Sequence, residues 1–169
     1  MSNNIIYENE YEKVIEEDNH LYVINKKELI GIVPYTIENG VLTSIGLKTI
    51  VNKEEEEFNN TLLIDYVTSD DINYLNAASR ILDEKIDINI KKGEEWIYLG
   101  DIVYNHFSKS NIHIYGVDIT HYLNELKSDN FQLISINNIT QNNDILFLSI
   151  FTRLFNYFYV KSLIKKDDE

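Results

Sequence analysis

The chain has 169 residues, with 28 acidic against 15 basic side chains, a net charge of −13 and 44% hydrophobic residues. That profile predicts one globular domain with length enough for a core, and its charge excludes a general binder of nucleic-acid backbone, which needs a basic surface. There is no cysteine, which excludes disulfides, thiolate metal sites and a thiol nucleophile.

In chain order, residues 1–20 read as an acidic N-terminal arm in which Tyr7, Tyr11, Val14 and Ile15 form an apolar helical stripe or pack on a partner. Leu21–Ile24 is a predicted strand, and Leu29–Ile37 a stronger one in which Pro34 marks a kink or an edge. Glu38-Asn39-Gly40 signals a hairpin, because Asn-Gly accepts the positive φ such turns need. Val41–Val51 is the returning strand, with Gly46 its candidate bulge. The acidic run 54–57 predicts a solvated loop, and Thr61–Val67 a short apolar strand.

Leu75, Ala78, Ile81, Leu82 and Ile86 recur at three- and four-residue steps, the mark of an amphipathic helix. Ser69, Asp70 and Asp71 supply acceptors for its unpaired first N–H groups. Ile86–Ile90 then alternates as a strand does. Glu95–Leu99 and Ile102–Asn105 are predicted strands around Gly100-Asp101, and Ile112–Ile119 another, joined by the hairpin loop Phe107–Asn111. Asn143–Ile164 is strongly helical and apolar on more than one face, yet no membrane span, because Arg153 and Asn156 interrupt it and a span takes about 20 apolar residues. Its surplus aromatics Phe151, Phe155, Tyr157, Phe158 and Tyr159 are candidates for contact with a partner. Strands, helix, strands and final helix make an α+β arrangement without repeats or linkers: the arm 1–20, a domain 21–164 and a charged tail 165–169.

Chemistry-bearing patterns are few. His20, His106, His113 and His121 lack the i, i+4 spacing of a helical metal site, although His106 and His113 would approach each other across the proposed hairpin. No Gly-x-Ser-x-Gly elbow and no glycine-rich phosphate cradle is present. No leader is read at Met1, so a reducing, unsecreted setting is expected.

One segment resembles a known family. Arg80-Ile81-Leu82-Asp83-Glu84-Lys85-Ile86-Asp87-Ile88 is similar to the second half of a Nudix box, Arg-Glu-apolar-any-Glu-Glu-any-Gly-apolar. Arg80, Leu82, Glu84 and Ile88 match. Ile81 and Lys85 replace glutamates, Asp87 replaces the glycine, and the upstream Gly and Glu fall on Tyr66 and Ile72. Trp96–Gly100 resembles the strand that follows the box, and Ile114–Thr120 a later one ending Val-Asp-Val-Thr. The resemblance implies a Nudix-like mixed β-sheet sandwiched between α-helices. It also implies a degenerate site, since of the Mg²⁺-binding glutamates only Glu84 remains, a weak metal candidate. Beside it Lys85 would repel a cation or satisfy Glu84 itself, Asp87 is a substitute ligand, and Arg80 braces the helix to the following strand.

The expectation is therefore a catalytically inactive Nudix-fold protein with no catalytic residues, no cofactor and no membrane association, working through protein contacts. Similarity to Nudix-like proteins of tailed bacteriophages implies a virion or host-cytoplasm setting, with other virion or assembly proteins as partners. The alternatives are a Mg²⁺-dependent hydrolase of nucleoside diphosphate derivatives and a nucleotide-binding domain that does not hydrolyse.

Overall fold

A computed structural model describes residues 4–52, 57–90, 96–103, 111–141 and 145–167. The first three strands, β1 (Asn4–Glu8), β2 (Glu12–Glu17) and β3 (His20–Asn25), form a small antiparallel sheet in that order. The helical stripe expected in residues 1–20 is thus replaced by strands. Asp18 and Asn19, at φ 52° and 62°, make a two-residue turn of the kind hairpins favour, and it fixes the β2–β3 register of Glu17 opposite His20. Tyr11 ties this sheet to the rest by packing on Tyr66, ring centroids 5.1 Å apart.

The main sheet has seven strands: β4 (Leu29–Glu38), β5 (Val41–Asn52), β6 (Glu57–Thr61), β7 (Leu63–Tyr66), β8 (Trp96–Val103), β9 (Asn111–Asp118) and β10 (Phe131–Ser135). Its order is β10-β5-β4-β9-β8, with β6 on β5 and β7 on β4. Only β4 and β9 run parallel, so the sheet is mixed. The β4–β5 hairpin turns at Asn39 and Gly40, at φ 53° and 78°, as the sequence predicts.

Pro34 lies in a central strand and not at an edge. It falls where the neighbour on one flank of β4 changes, between Leu29–Ile32 on β7 and Tyr35–Glu38 on β5. A residue without an N–H is tolerated at such a gap in a ladder. Gly46 is likewise no bulge, being paired with Leu133; the register shift between β4 and β5 leaves Thr43 as the extra residue. What Gly46 provides is space for the Phe131 ring, since a Cβ there would lie 2.1 Å from Phe131 Cζ.

Helix α1 (Tyr74–Ile86) and helix α2 (Ile145–Asp167) cover opposite faces of the main sheet. Strand alternation divides the core accordingly. Ile30 and Ile32 of β4 meet Ala77, Ala78, Ile81 and Leu82 of α1. Leu29, Val33 and Tyr35 lie in the second cluster with Phe147, Ile150 and Leu154 of α2. The α+β sandwich expected from the sequence is the observed architecture. No helix among the described residues is long and apolar enough to cross a membrane.

Two further expectations change. Ile86–Ile90 pairs with no strand among the described residues; its alternation instead buries Ile86, Ile88 and Ile90 in the α1 core. The two strands expected around Gly100 are one strand, β8, whose register shifts between Tyr98 and Gly100, with Gly100 at φ 91°. His106 and the loop residues 107–110 lie outside the described residues.

Candidate functional site

The box residues are positioned by the passage from β7 into α1. Asn73 caps the helix, its Oδ1 accepting the Asn76 N–H at 2.9 Å. The expected acceptors Ser69, Asp70 and Asp71 do not cap it. Asp71 turns inward, and its side chain is only 4% exposed. Its Oδ2 accepts the Thr68 N–H and hydroxyl at 2.8 and 2.9 Å. Arg80 Nε and Nη2 donate to its two oxygens at 3.0 and 2.9 Å. The Arg80 guanidinium holds the Asp71 carboxyl below the usual carboxylate range, and Asp71 in turn pushes Arg80 up.

Arg80 spends its other donors nearby. Nη2 reaches the Tyr66 carbonyl at 2.9 Å and Nη1 reaches Glu84 Oε2 at 3.0 Å. It thereby ties the helix to the end of β7, the strand that precedes it, and not to the strand that follows. Glu84 is 52% exposed, one helical turn from Arg80 and paired to it. Ile81, Leu82 and Ile88 are fully buried in the α1 core. Ile72, at the upstream glutamate position, is 88% exposed.

Lys85 takes a partner other than Glu84. Its Nζ lies 2.6 Å from Asp65 Oδ2 on β7. Burial works to raise the Asp65 carboxyl, but the Lys85 ammonium and the Tyr66 N–H outweigh it and leave the group below its ordinary value. Asp87 is exposed and at φ 61°, and its N–H donates to Asp83 O at 2.9 Å to close the helix. It stands at the box glycine because that position needs a left-handed residue, which Asp tolerates better than most. Asp83 faces solvent and accepts from Asn89 Nδ2.

The Mg²⁺ that a Nudix box holds needs several free oxygens converging on one point. These residues do not fit it. One glutamate position is a core isoleucine, another an ammonium, and the surviving Glu84 is engaged by a guanidinium. Among the described residues no three His, Asp or Glu side chains gather as a metal site.

A cavity of 510 Å³ opens beside Lys85, lined from the main sheet, the small N-terminal sheet and α1. Lys48, Lys85, Asp65 and Glu12 line it together with Leu29, Ile64 and Ile112. The sequence holds no local sign of this cavity, because its walls come from both sheets and from α1.

A second polar cluster also escapes sequence reading. Asp101 Oδ1 accepts the Tyr98 hydroxyl and lies 2.6 Å from His113 Nδ1, while the Tyr74 ring stacks on His113 at 4.3 Å. The irregularity at Leu99 in β8 breaks alternation, so Tyr98 and Asp101, three apart, share a side. The hydrogen bond to Asp101, with some burial, pushes the Tyr98 phenol up to about 12.

On α2, Phe155, Tyr157, Tyr159 and Val160 are exposed, with Phe155 and Tyr159 stacked 6.5 Å apart. Phe151 and Phe158, also expected at a contact surface, pack instead against the core, Phe158 edge-on to Tyr35 at 5.2 Å. Arg153 Nη1 donates to the carbonyls of Leu99 and Asp101, both at 3.0 Å, and so anchors α2 to the β8 irregularity.

The fold is similar to that of solved proteins. The crystal structure of an ADP compounds hydrolase superposes with a TM-score of 0.58 over 95% of this chain and 96% of its own, at 9% sequence identity. The chain thus has a Nudix-like α+β fold. No protein-family model matches the sequence, and no curated protein matches it.

Proposed function

We propose that this chain is a Nudix-fold protein that does not carry out metal-dependent hydrolysis and works by binding. The observation that carries this reading is how the box carboxylate positions are used. Ile81 is core, Glu84 is paired with Arg80 and Lys85 with Asp65. A Nudix reaction draws on Mg²⁺ to bridge a diphosphate and activate water, and of these three positions only Glu84 still carries a carboxylate, with its Oε2 held by Arg80. The exposed aromatic face of α2, around Phe155, Tyr157 and Tyr159, is the surface proposed for protein contact, since aromatic residues are enriched at interface cores. The setting proposed, from the resemblance of the sequence, is a tailed-phage particle or its assembly.

The second reading is a hydrolase of nucleoside diphosphate derivatives. It is favoured by the superposition on an ADP compounds hydrolase along nearly the whole chain and by the cavity beside Lys85. Release of phosphate or nucleoside monophosphate from a panel of such compounds, with Mg²⁺ or Mn²⁺, separates the two. The proposal expects no release above the blank. Turnover that disappears in Glu84→Gln overturns it.

A further inference from the structure

We infer that the 510 Å³ cavity between the two sheets is a binding site for a small amphiphile carrying a single anionic group. This goes beyond the contact role proposed above and does not depend on it. The volume lies in the range of small-molecule sites, roughly 300–1,000 Å³. Part of the lining is apolar, made by Val23, Leu29, Leu62, Ile64 and Ile112, and a ligand body that covers it gains from leaving water.

The charges decide the rest. Two ammonium groups, Lys48 and Lys85, and two carboxylates, Glu12 and Asp65, line the space. Lys85 and Asp65 cancel across 2.6 Å. Lys48 is half-buried on β5 and forms no ion pair or side-chain hydrogen bond with a described residue. A partly desolvated ammonium favours an anion beside it. Glu12 then limits how much negative charge enters, because a second anionic group meets a carboxylate. One anion on Lys48 and an apolar body against the apolar lining satisfy both demands. A nucleoside diphosphate, with several negative charges and no metal to share them, does not.

The test is calorimetric titration of the full chain with 3-phenylpropionate, its neutral amide and ADP. The expected result is saturable binding of the carboxylate, with binding of the amide about tenfold weaker, the worth of one charge-assisted hydrogen bond. Lys48→Gln weakens the carboxylate by a similar factor and leaves the amide unchanged, while Lys48→Arg restores it. Lys48 lies between β10 and β6 with its side chain half-buried, and circular dichroism confirms that each variant folds. No saturable binding of 3-phenylpropionate overturns the inference. So does equal binding of acid and amide, tighter binding of ADP, or indifference to Lys48→Gln. The hydrolysis assay with Glu84→Gln is a separate readout, so the failure of one proposal is distinguishable from the failure of the other.

Discussion

Asp71 receives the Arg80 guanidinium on both carboxylate oxygens, at 3.0 and 2.9 Å, inside the turn that joins β7 to α1. Two parallel charge-assisted bonds fix direction as well as distance. Because Arg80 also holds the Tyr66 carbonyl and Glu84, a single side chain sets where the helix begins, how it meets the sheet and what the remaining box glutamate can do.

Asp71→Ala therefore costs more than an ordinary surface change. It leaves a guanidinium three-quarters buried with half its hydrogen bonds gone, while the exposed Thr68 donors turn to water. The expected loss is about 3 kcal/mol, the lower part of the range for breaking one side of a buried pair. Urea unfolding measures it. A loss below about 1 kcal/mol, the level of an exposed pair, contradicts the role given to Asp71.

The same pair sets an acid limit. The Asp71 carboxyl is held down mainly by Arg80, and Asp65 is lowered by Lys85 and the Tyr66 N–H against its burial. A depressed carboxyl contributes stability that is complete above its unfolded value near 4 and is lost as pH falls through the lower folded value. Stability is thus expected to hold down to about pH 4 and then decline. In Asp71→Asn the wild-type excess of stability at neutral pH is missing and the acid decline is shallower. Unfolding curves from pH 7 to pH 2 check both.

At the other end of the pH scale, Tyr98 acts with the opposite sign. Its phenol is pushed up to about 12 by its hydrogen bond to Asp101. A raised group contributes stability that is fully present below the unfolded value, near 10, and is lost as pH rises through the folded one. Alkaline destabilisation is expected in that window, and Tyr98→Phe removes this part of it. Ultraviolet titration of tyrosine ionisation is expected to lose its highest step in the variant. An unchanged titration contradicts the assignment.

Much of the fold is legible in local sequence, and the failures have physical reasons. The β4–β5 hairpin is written in Asn39-Gly40, and α1 in the spacing of its buried face. The Asp18-Asn19 turn carries the same type of signal in a weaker form, two residues that tolerate positive φ between segments of strand-like character; without glycine it is easily passed over. Ser69, Asp70 and Asp71 offer the right atoms for a cap, but only the fold reveals that Asp71 is claimed by Arg80, nine residues on. Ile86–Ile90 alternates as a strand does because alternate residues are buried, and burial alone does not supply a partner strand. At the site, the box match singles out Arg80 and Glu84, whereas the Lys85–Asp65 pair joins residues twenty apart and no periodicity announces it.

Lys85→Glu tests what that pair replaces. The substitution puts a carboxylate where the ammonium meets Asp65 at 2.6 Å, so two like charges face each other with Glu84 adjacent in sequence. Two carboxylates at close range favour either a shared proton or a divalent cation. Weak Mn²⁺ binding is expected to appear in the variant, at least about tenfold tighter than in the wild-type chain. It should weaken as pH falls, because a protonated carboxylate is no ligand. Calorimetric titration with MnCl₂ at two pH values measures it. If the wild-type chain binds Mn²⁺ as tightly as the variant, the lysine is not what excludes a metal here, and the reading of this box as a non-metal site fails with it.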